Sequence, residues 1–215
     1  MATHTSTPAA GLRETKKHET RQLISDHATR LFIAQGFEET TIAEIAAAAR
    51  VAKKTVTNYF PRKEDLALDH QERFAASLAD AVAARRPGES VLAALRRVFA
   101  DAVAAQDPVA GFSGRQFARM IADSPTLSAC LRNLHDQRER HLAQALAEVT
   151  AAQPDDIAVQ TAAALLGAVH RMLFHRIQAL TLAGHSNDQI AQTIATDATQ
   201  AFDLLEPALS GYGIA

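Results

Sequence analysis

Lys54 and Asn58 stand four residues apart in residues 53–60 (KKTVTNYF), with Thr55 and Thr57 beside them. At helical spacing this sets an ammonium, a carboxamide and two hydroxyls on one side of a short element. Val56 and Phe60, also four apart, occupy the other side. Such a row of donors and acceptors suits contact with another polar surface rather than bond-breaking chemistry. The surrounding charge points the same way. Between Arg50 and Lys63 stand five cations (Arg50, Lys53, Lys54, Arg62, Lys63) and no acid, the local balance that a phosphate-facing surface needs.

No other constellation competes with this one. The chain has no glycine-rich nucleotide loop, no His-Glu-x-x-His, no nucleophile elbow and no paired Cys-x-x-Cys. His170 and His175, five apart, share a helix face poorly, and no acid or cysteine stands beside them at metal spacing. Neither catalysis nor a metal or cofactor is therefore expected.

The elements that must position the polar row can be read from its flanks. Thr41 and Glu44 form a capping box that starts a helix running to about residue 49, and Ile42, Ile45, Ala46 and Ala49 give it one apolar stripe. A turn at residues 50–52 leads into the helix of residues 53–60. Pro61 stops that helix by holding Phe60 extended. Upstream, residues 13–35 predict a long helix with Leu23, Ile24, Ala28, Leu31 and Phe32 on its buried face, Gly36 as its stop and Phe37 folding back. Its basic beginning (Arg13, Lys16, Lys17, Arg21) suits phosphates and solvent equally well.

Residues 50–66, RVAKKTVTNYFPRKEDL, resemble the recognition-helix signature of TetR-type transcriptional regulators, down to the Tyr-Phe pair and the following Lys-Glu-x-Leu. The resemblance covers residues 20–68, and beyond them only length and helical pattern match. One position departs. Relatives commonly carry Gly before the residue that is Val51 here, and this chain has Arg50, so the turn is either less tight or strained.

What the resemblance implies is specific. The fold would be all-α, with an N-terminal three-helix helix-turn-helix head for DNA and a larger C-terminal helical body for ligand binding and dimerisation. A homodimer would set two recognition helices in successive major grooves of a palindromic double-stranded DNA operator. Base reading would fall to Lys54, Thr55, Thr57 and Asn58, whose donors and acceptors suit guanine, adenine and thymine edges. Phosphate anchoring would fall to Thr41, Lys53, Tyr59 and Lys63. The chain would act as a repressor, released when a small apolar or amphipathic effector enters the body. The rival readings are a helical enzyme or carrier, or a protein-interaction adaptor, and selective binding to DNA separates them from the regulator.

The domain pattern expected is an arm at residues 1–12 that stays disordered, a head at 13–62 and a body at 63–215. A fourth helix from residue 62 or 64 to 84, carrying Leu66, Phe74, Leu78 and Val82, would lead out of the head as a continuous rod. Further helices follow at residues 90–106, 112–123 and 125–151, then from a cap at Asp155 or Asp156 to about residue 183 and from residue 187 or 188 to 205, punctuated by Pro87-Gly88, Pro108, Pro154 and Gly184. Candidate lining for a body pocket is Phe99, Phe112, Phe117, Met120, Leu134, Leu166 and Phe174, each of which also reads as ordinary core. Arg138, His141 and His170 are its candidate polar handles. Residues 157–182 are apolar on two sides, with Leu165, Val169, Leu173, Ile177 and Leu180 on one and Ala164, Ala168, Met172 and Ala179 on the other. With the stripe Ile190, Ile194, Ala198, Ala201, Phe202 and Leu205 of the last helix, they predict a four-helix homodimer interface.

Composition bounds the rest. The 215 residues carry a net charge of −2. Residues 1–69 hold ten Lys/Arg against nine Asp/Glu, a balance of +1, and residues 70–215 hold twelve against fifteen, a balance of −3. This excludes a protein that coats nucleic acid by bulk charge, so any DNA contact has to come from a focused patch. The single cysteine, Cys130, forbids an intramolecular disulfide and fits a reducing cytoplasm, with redox sensing as the lesser alternative. The N-terminus lacks a signal-peptide core, and no apolar run is expected to reach membrane-spanning length, which points to a soluble cytoplasmic protein with no membrane partner.

Overall fold

The computed structural model describes the backbone of residues 8–214 and the side chains of residues 14–214. Two compact units divide between Asp69 and His70.

The N-terminal unit is built on α1 (Pro8–Gln35), which presents Ile24, Ala28 and Phe32 at four-residue intervals as a buried stripe. Gly36 ends the helix with φ of 94°, and Phe37 folds back until its ring centroid lies 4.9 Å from that of Phe32. Against α1 packs α2 (Ile42–Ala48), and α3 (Lys53–Tyr59) packs on α2, with Ile45, Ala46, Val56 and Phe60 buried. The short α4 (Glu64–Ala67) closes the unit, with Leu66 and Ala67 buried and the Ser25 hydroxyl of α1 donating to Asp69 at 2.8 Å.

Three expectations for this region change. The helix begins at Pro8 instead of Arg13, so residues 8–12 of the expected arm are helical, while residues 1–7 lie outside the described residues. Leu23 is 44% exposed, because the buried stripe runs through Ile24 and leaves its neighbour outside. The continuous rod from the head is broken. Residues 68–70 leave helical geometry and a new helix, α5 (Gln71–Ala83), starts with His70 at its N-cap. Leu66 belongs to the head core, which moves the boundary from residue 62 to residue 69.

The C-terminal unit contains α5, α6 (Val91–Ala104), α7 (Arg115–Asp123), α8 (Pro125–Thr150), α9 (Ile157–Ala183), α10 (Asn187–Asp203) and α11 (Glu206–Leu209), with a 3-10 turn at Pro108–Ala110. Side chains cap α6, α8, α9 and α10: Ser90, Ser124, Asp156 and Ser186 each accept an amide of the first turn. α8 lies along α5 and α9, and α10 packs on α9 and α6. Leu92, Leu95, Leu142, Leu146, Leu166 and Phe202 are sealed inside this bundle, and each contributes about 2 kcal/mol by leaving water. Gly167 permits the close approach of α8 and α9, since a Cβ there would sit 3.0 Å from the Glu139 carboxylate.

One expectation about α9 needs correction. At 27 residues it is long and apolar enough to cross a membrane by length and composition, contrary to the expectation that no such run exists. It also carries His170, Arg171, His175 and Arg176, and buries ten residues inside the bundle, the pattern of a core helix.

Candidate nucleic-acid interface

The capping box that starts α2 is present. The Thr41 hydroxyl accepts from the Glu44 amide at 3.2 Å, and the Glu44 carboxylate accepts from the Thr41 amide and hydroxyl, both at 2.8 Å. Those bonds hold the Glu44 carboxyl below the usual carboxylate range. Thr41 is exposed at the helix start, beside amides that suit an anion.

The turn between α2 and α3 is tight. The Val51 amide donates to Ala46 at 3.0 Å and the Arg50 amide to Ala47 at 3.1 Å, the paired bonds of a Schellman motif. Arg50 occupies its left-handed position with φ of 55°. The alternatives left by the missing glycine are thereby resolved: the turn keeps its geometry and Arg50 carries the strain, about 1 kcal/mol for a residue with a Cβ.

α3 presents two faces. Val56 and Phe60 are sealed, at 0% and 1% exposure, while Lys53, Lys54, Thr57 and Asn58 are exposed and Thr55 and Tyr59 half-buried. The Thr57 hydroxyl donates to the Lys54 carbonyl at 3.1 Å, which leaves its oxygen and methyl outward. An open groove of about 360 Å³ runs beside this face, lined by Glu14, Lys17, His18 and Arg21 of α1 and by Asn58 and Tyr59.

The five cations divide. Arg50, Lys53 and Lys54 are exposed, their side chains without a hydrogen-bond or ion-pair partner among the described residues, whereas Arg62 and Lys63 are committed to the fold. Arg62 pairs with the buried Asp65 carboxylate through Nε at 3.2 Å and Nη2 at 2.9 Å. Lys63 Nζ donates to the carbonyls of Phe37, Glu38 and Thr40 at 2.9, 3.2 and 3.1 Å, and lies 4.4 Å from the centroid of the Phe37 ring. All three of its donors are used inside the loop between α1 and α2, so the geometry assigns Lys63 to that loop instead of a phosphate. Arg21 is likewise occupied, donating to the Tyr59 carbonyl at 2.9 Å with its guanidinium 4.3 Å from the Phe60 ring centroid.

The body holds a second polar group of interest. Arg138 and His170, two expected handles, are buried at 6% and 3% exposure. The third, His141, is exposed, and its Nδ1 donates to the Ala75 carbonyl at 3.1 Å, which ties α8 to α5. Of the expected lining, Phe99, Phe112 and Leu166 join the continuous core, Met120, Leu134 and Phe174 are buried outside it, and Phe117 is only half-buried. His135 is the residue that the sequence reading missed. It is 5% exposed, with ring centroids 5.0 Å from Phe74 and 5.1 Å from Phe174. Its position three residues before Arg138, one helical turn away, was the available signal.

Comparison with known proteins places these features. Residues 24–69 match the model of bacterial regulatory proteins of the tetR family. The chain is 31% identical over 157 residues, 70% of each protein, to the HTH-type transcriptional regulator TcmR of Streptomyces glaucescens. Among solved structures, SmeT in complex with triclosan aligns with a TM-score of 0.58 at 18% identity, covering 92% of this chain and 94% of SmeT. NalD of Pseudomonas aeruginosa, the secondary repressor of the MexAB-OprM multidrug efflux pump, aligns at 0.56 and 20% identity, covering 86% of this chain and 97% of NalD. Those two likenesses share the all-α fold, and the match to TcmR carries the kinship: the chain belongs to the tetR family and is a DNA-binding transcriptional regulator.

Proposed function

We propose that this regulator is a homodimeric repressor that leaves a palindromic operator when a small molecule occupies its body. The observation that carries the reading is the outward row on α3. Lys54, Thr55, Thr57 and Asn58 face away from a sealed Val56 and Phe60, so the helix is anchored from behind while its polar groups meet base edges. Lys53, Tyr59 and Thr41 flank the row as phosphate contacts, and Arg50 joins them in place of Lys63.

Dimerisation is assigned chiefly to the outer face of α9, because the α10 stripe expected in the interface (Ile190, Ile194, Ala198, Phe202) is buried in the protomer's own core. Along α9 an exposed stripe of Ile157, Ala164, Leu165, Ala168, Met172 and Ala179 lies opposite the buried residues, apolar and small enough for close helix packing. Ligand response is assigned to the buried polar group around Arg138 and His170. The complex of SmeT with triclosan supports an aromatic small molecule as the kind of ligand this fold accepts. α5 follows directly on the head and carries Phe74 into that group, so an occupant there would act on the first helix of the body. Release requires the occupant to prefer the conformation that mismatches the operator.

Selection of bound fragments from the source genome, followed by gel-shift titration, tests the reading. Lys54→Ala and Asn58→Ala should each cost about 1–3 kcal/mol at particular base pairs and relax preference there. Lys53→Ala should weaken all sequences alike and lower the salt slope by about 1. A folded dimer that selects no fragment at physiological salt would refute it.

A further inference from the structure

Arg138 is the only arginine among the described residues that is buried. It extends from α8 into the bundle with its guanidinium carbon 4.6 Å from the Phe74 ring centroid, and its Nε is enclosed with no hydrogen-bond partner. Among the described residues no carboxylate pairs with it. The nearest acids of its own helix, Asp136 and Glu139, lie 3.9 Å from Arg171. The acids of α10 are engaged elsewhere, Asp197 with Arg176, Asp203 with Arg96 and Asp188 with the Gln106 amide.

The surrounding groups are polar donors in an aromatic setting. His170 has both ring nitrogens enclosed and unpaired, with its ring 5.4 Å from Phe99. His135 has Nε2 enclosed and unpaired and stacks edge-on against Phe74 and Phe174. Burial pushes both histidines down, His135 to about 3, with the Arg138 charge adding to the effect in each case. Both rings are therefore neutral at physiological pH, able to donate one N–H each and unable to supply counter-charge. Burial also lowers Arg138, to about 9, and it stays protonated near neutrality.

A buried guanidinium without a carboxylate is costly to the folded chain, and an aromatic cage around it is not a solvent substitute. Both facts are accounted for by a ligand that brings the missing charge. We propose that the effector is an anionic aromatic molecule, whose carboxylate or equally acidic oxygen group is held by the fork of Arg138 with an N–H from His135 or His170. The ring system would then stack among Phe74, Phe99 and Phe174. The inference rests on the ligand-responsive reading above and adds to it a charge class. Guanidinium and carboxylate match in geometry through two parallel N–H···O bonds, a preference that a neutral isostere cannot reproduce.

The test uses two probes of one shape, 2-naphthoate and its uncharged amide 2-naphthamide, titrated calorimetrically into the full-length dimer. Wild type should bind the carboxylate at least tenfold more tightly than the amide. Arg138→Met, which keeps volume and removes charge, should abolish that preference while leaving amide affinity within about twofold, and Arg138→Lys should retain part of it. Equal affinities in wild type, a preference for the amide, or a carboxylate preference that survives in Arg138→Met would overturn the anionic assignment and leave ligand response intact. Binding of neither probe would overturn the ligand site itself. The wild-type comparison needs no variant, so a misfolded Arg138→Met leaves the charge question decided by the probe pair and by Arg138→Lys.

Discussion

Lys63→Met separates two roles that a lysine beside a recognition helix can play. Methionine keeps most of the aliphatic stem and deletes the ammonium, so the change removes three donor bonds to the Phe37, Glu38 and Thr40 carbonyls and the contact over the Phe37 ring. Glu38 is exposed and its carbonyl rehydrates at little cost, whereas Phe37 and Thr40 are buried residues. Taking about 1 kcal/mol for each of the two enclosed bonds and about 0.5 kcal/mol for the ring contact gives a loss of about 2.5 kcal/mol. For a unit of this size melting on its own, that corresponds to a fall on the order of 10 °C in midpoint. Urea titration of the full-length protein followed by far-ultraviolet circular dichroism reads the loss. Operator affinity measured on folded protein across a salt series reads the alternative. The structural role requires a lower urea midpoint with an unchanged salt slope. A variant as stable as wild type whose salt slope drops by about 1 would instead make Lys63 a phosphate anchor and refute the reasoning.

Three further outcomes follow from the same structure. Arg50→Gly relieves a left-handed φ of 55° and should raise stability by about 0.5 kcal/mol after the extra freedom of glycine in the unfolded chain is set against the strain; a lower urea midpoint would contradict this. Ala168→Glu places a charge in the exposed small-residue stripe of α9 and should convert the dimer to monomer in light scattering with helicity retained, and a surviving dimer would move the interface elsewhere. The folded His135 titrates near 3, chiefly through burial, below its unfolded value of about 6.5. Its contribution to stability is therefore complete above about pH 6.5 and declines as pH falls towards 3, by up to about 1.4 kcal/mol per pH unit. His135→Gln should flatten the dependence of urea midpoint on pH between 6 and 4, and an unchanged slope would count against a buried neutral ring.

The parts legible in sequence were those governed by local rules. The Thr41–Glu44 box and the Pro61 stop after Phe60 depend on residues within one helical turn of each other and stand where the sequence put them, as do the helix starts at residues 90 and 125. Pairing across the fold was not legible. Lys63 reaches back 23 to 26 residues to its carbonyls, and Arg21 reaches 38 forward to Tyr59. Nothing in residues 50–63 distinguishes those committed cations from Lys53 and Lys54. The break at residues 68–70 was hidden for a related reason. Leu66 and Leu78 both suit one apolar stripe, but Leu66 packs in the head and Leu78 in the body, and periodicity cannot show that one stripe serves two cores. His135 escaped because a histidine beside Leu134 reads as the edge of a stripe until Phe74 and Phe174 close over it.

The division of the cations bears on the proposed homodimer. A head that offered all five charges of residues 50–63 could hold DNA largely by electrostatics. With Arg62 and Lys63 bound to Asp65 and the loop carbonyls, each α3 region offers Arg50, Lys53 and Lys54. With Lys54 on the bases, the two phosphate-range charges of Arg50 and Lys53 give a salt slope of about −1.8 per head, typical of weak and unselective binding, and two heads on one operator give about −3.6. Doubling the base contacts of Lys54 and Asn58 adds selectivity in the same step, since mismatch costs at separate positions add. A monomeric variant such as Ala168→Glu should therefore lose operator preference together with affinity, and its remaining binding should show roughly half the wild-type salt slope. If selectivity survived in the monomer, recognition would have to come from groups beyond the α3 row.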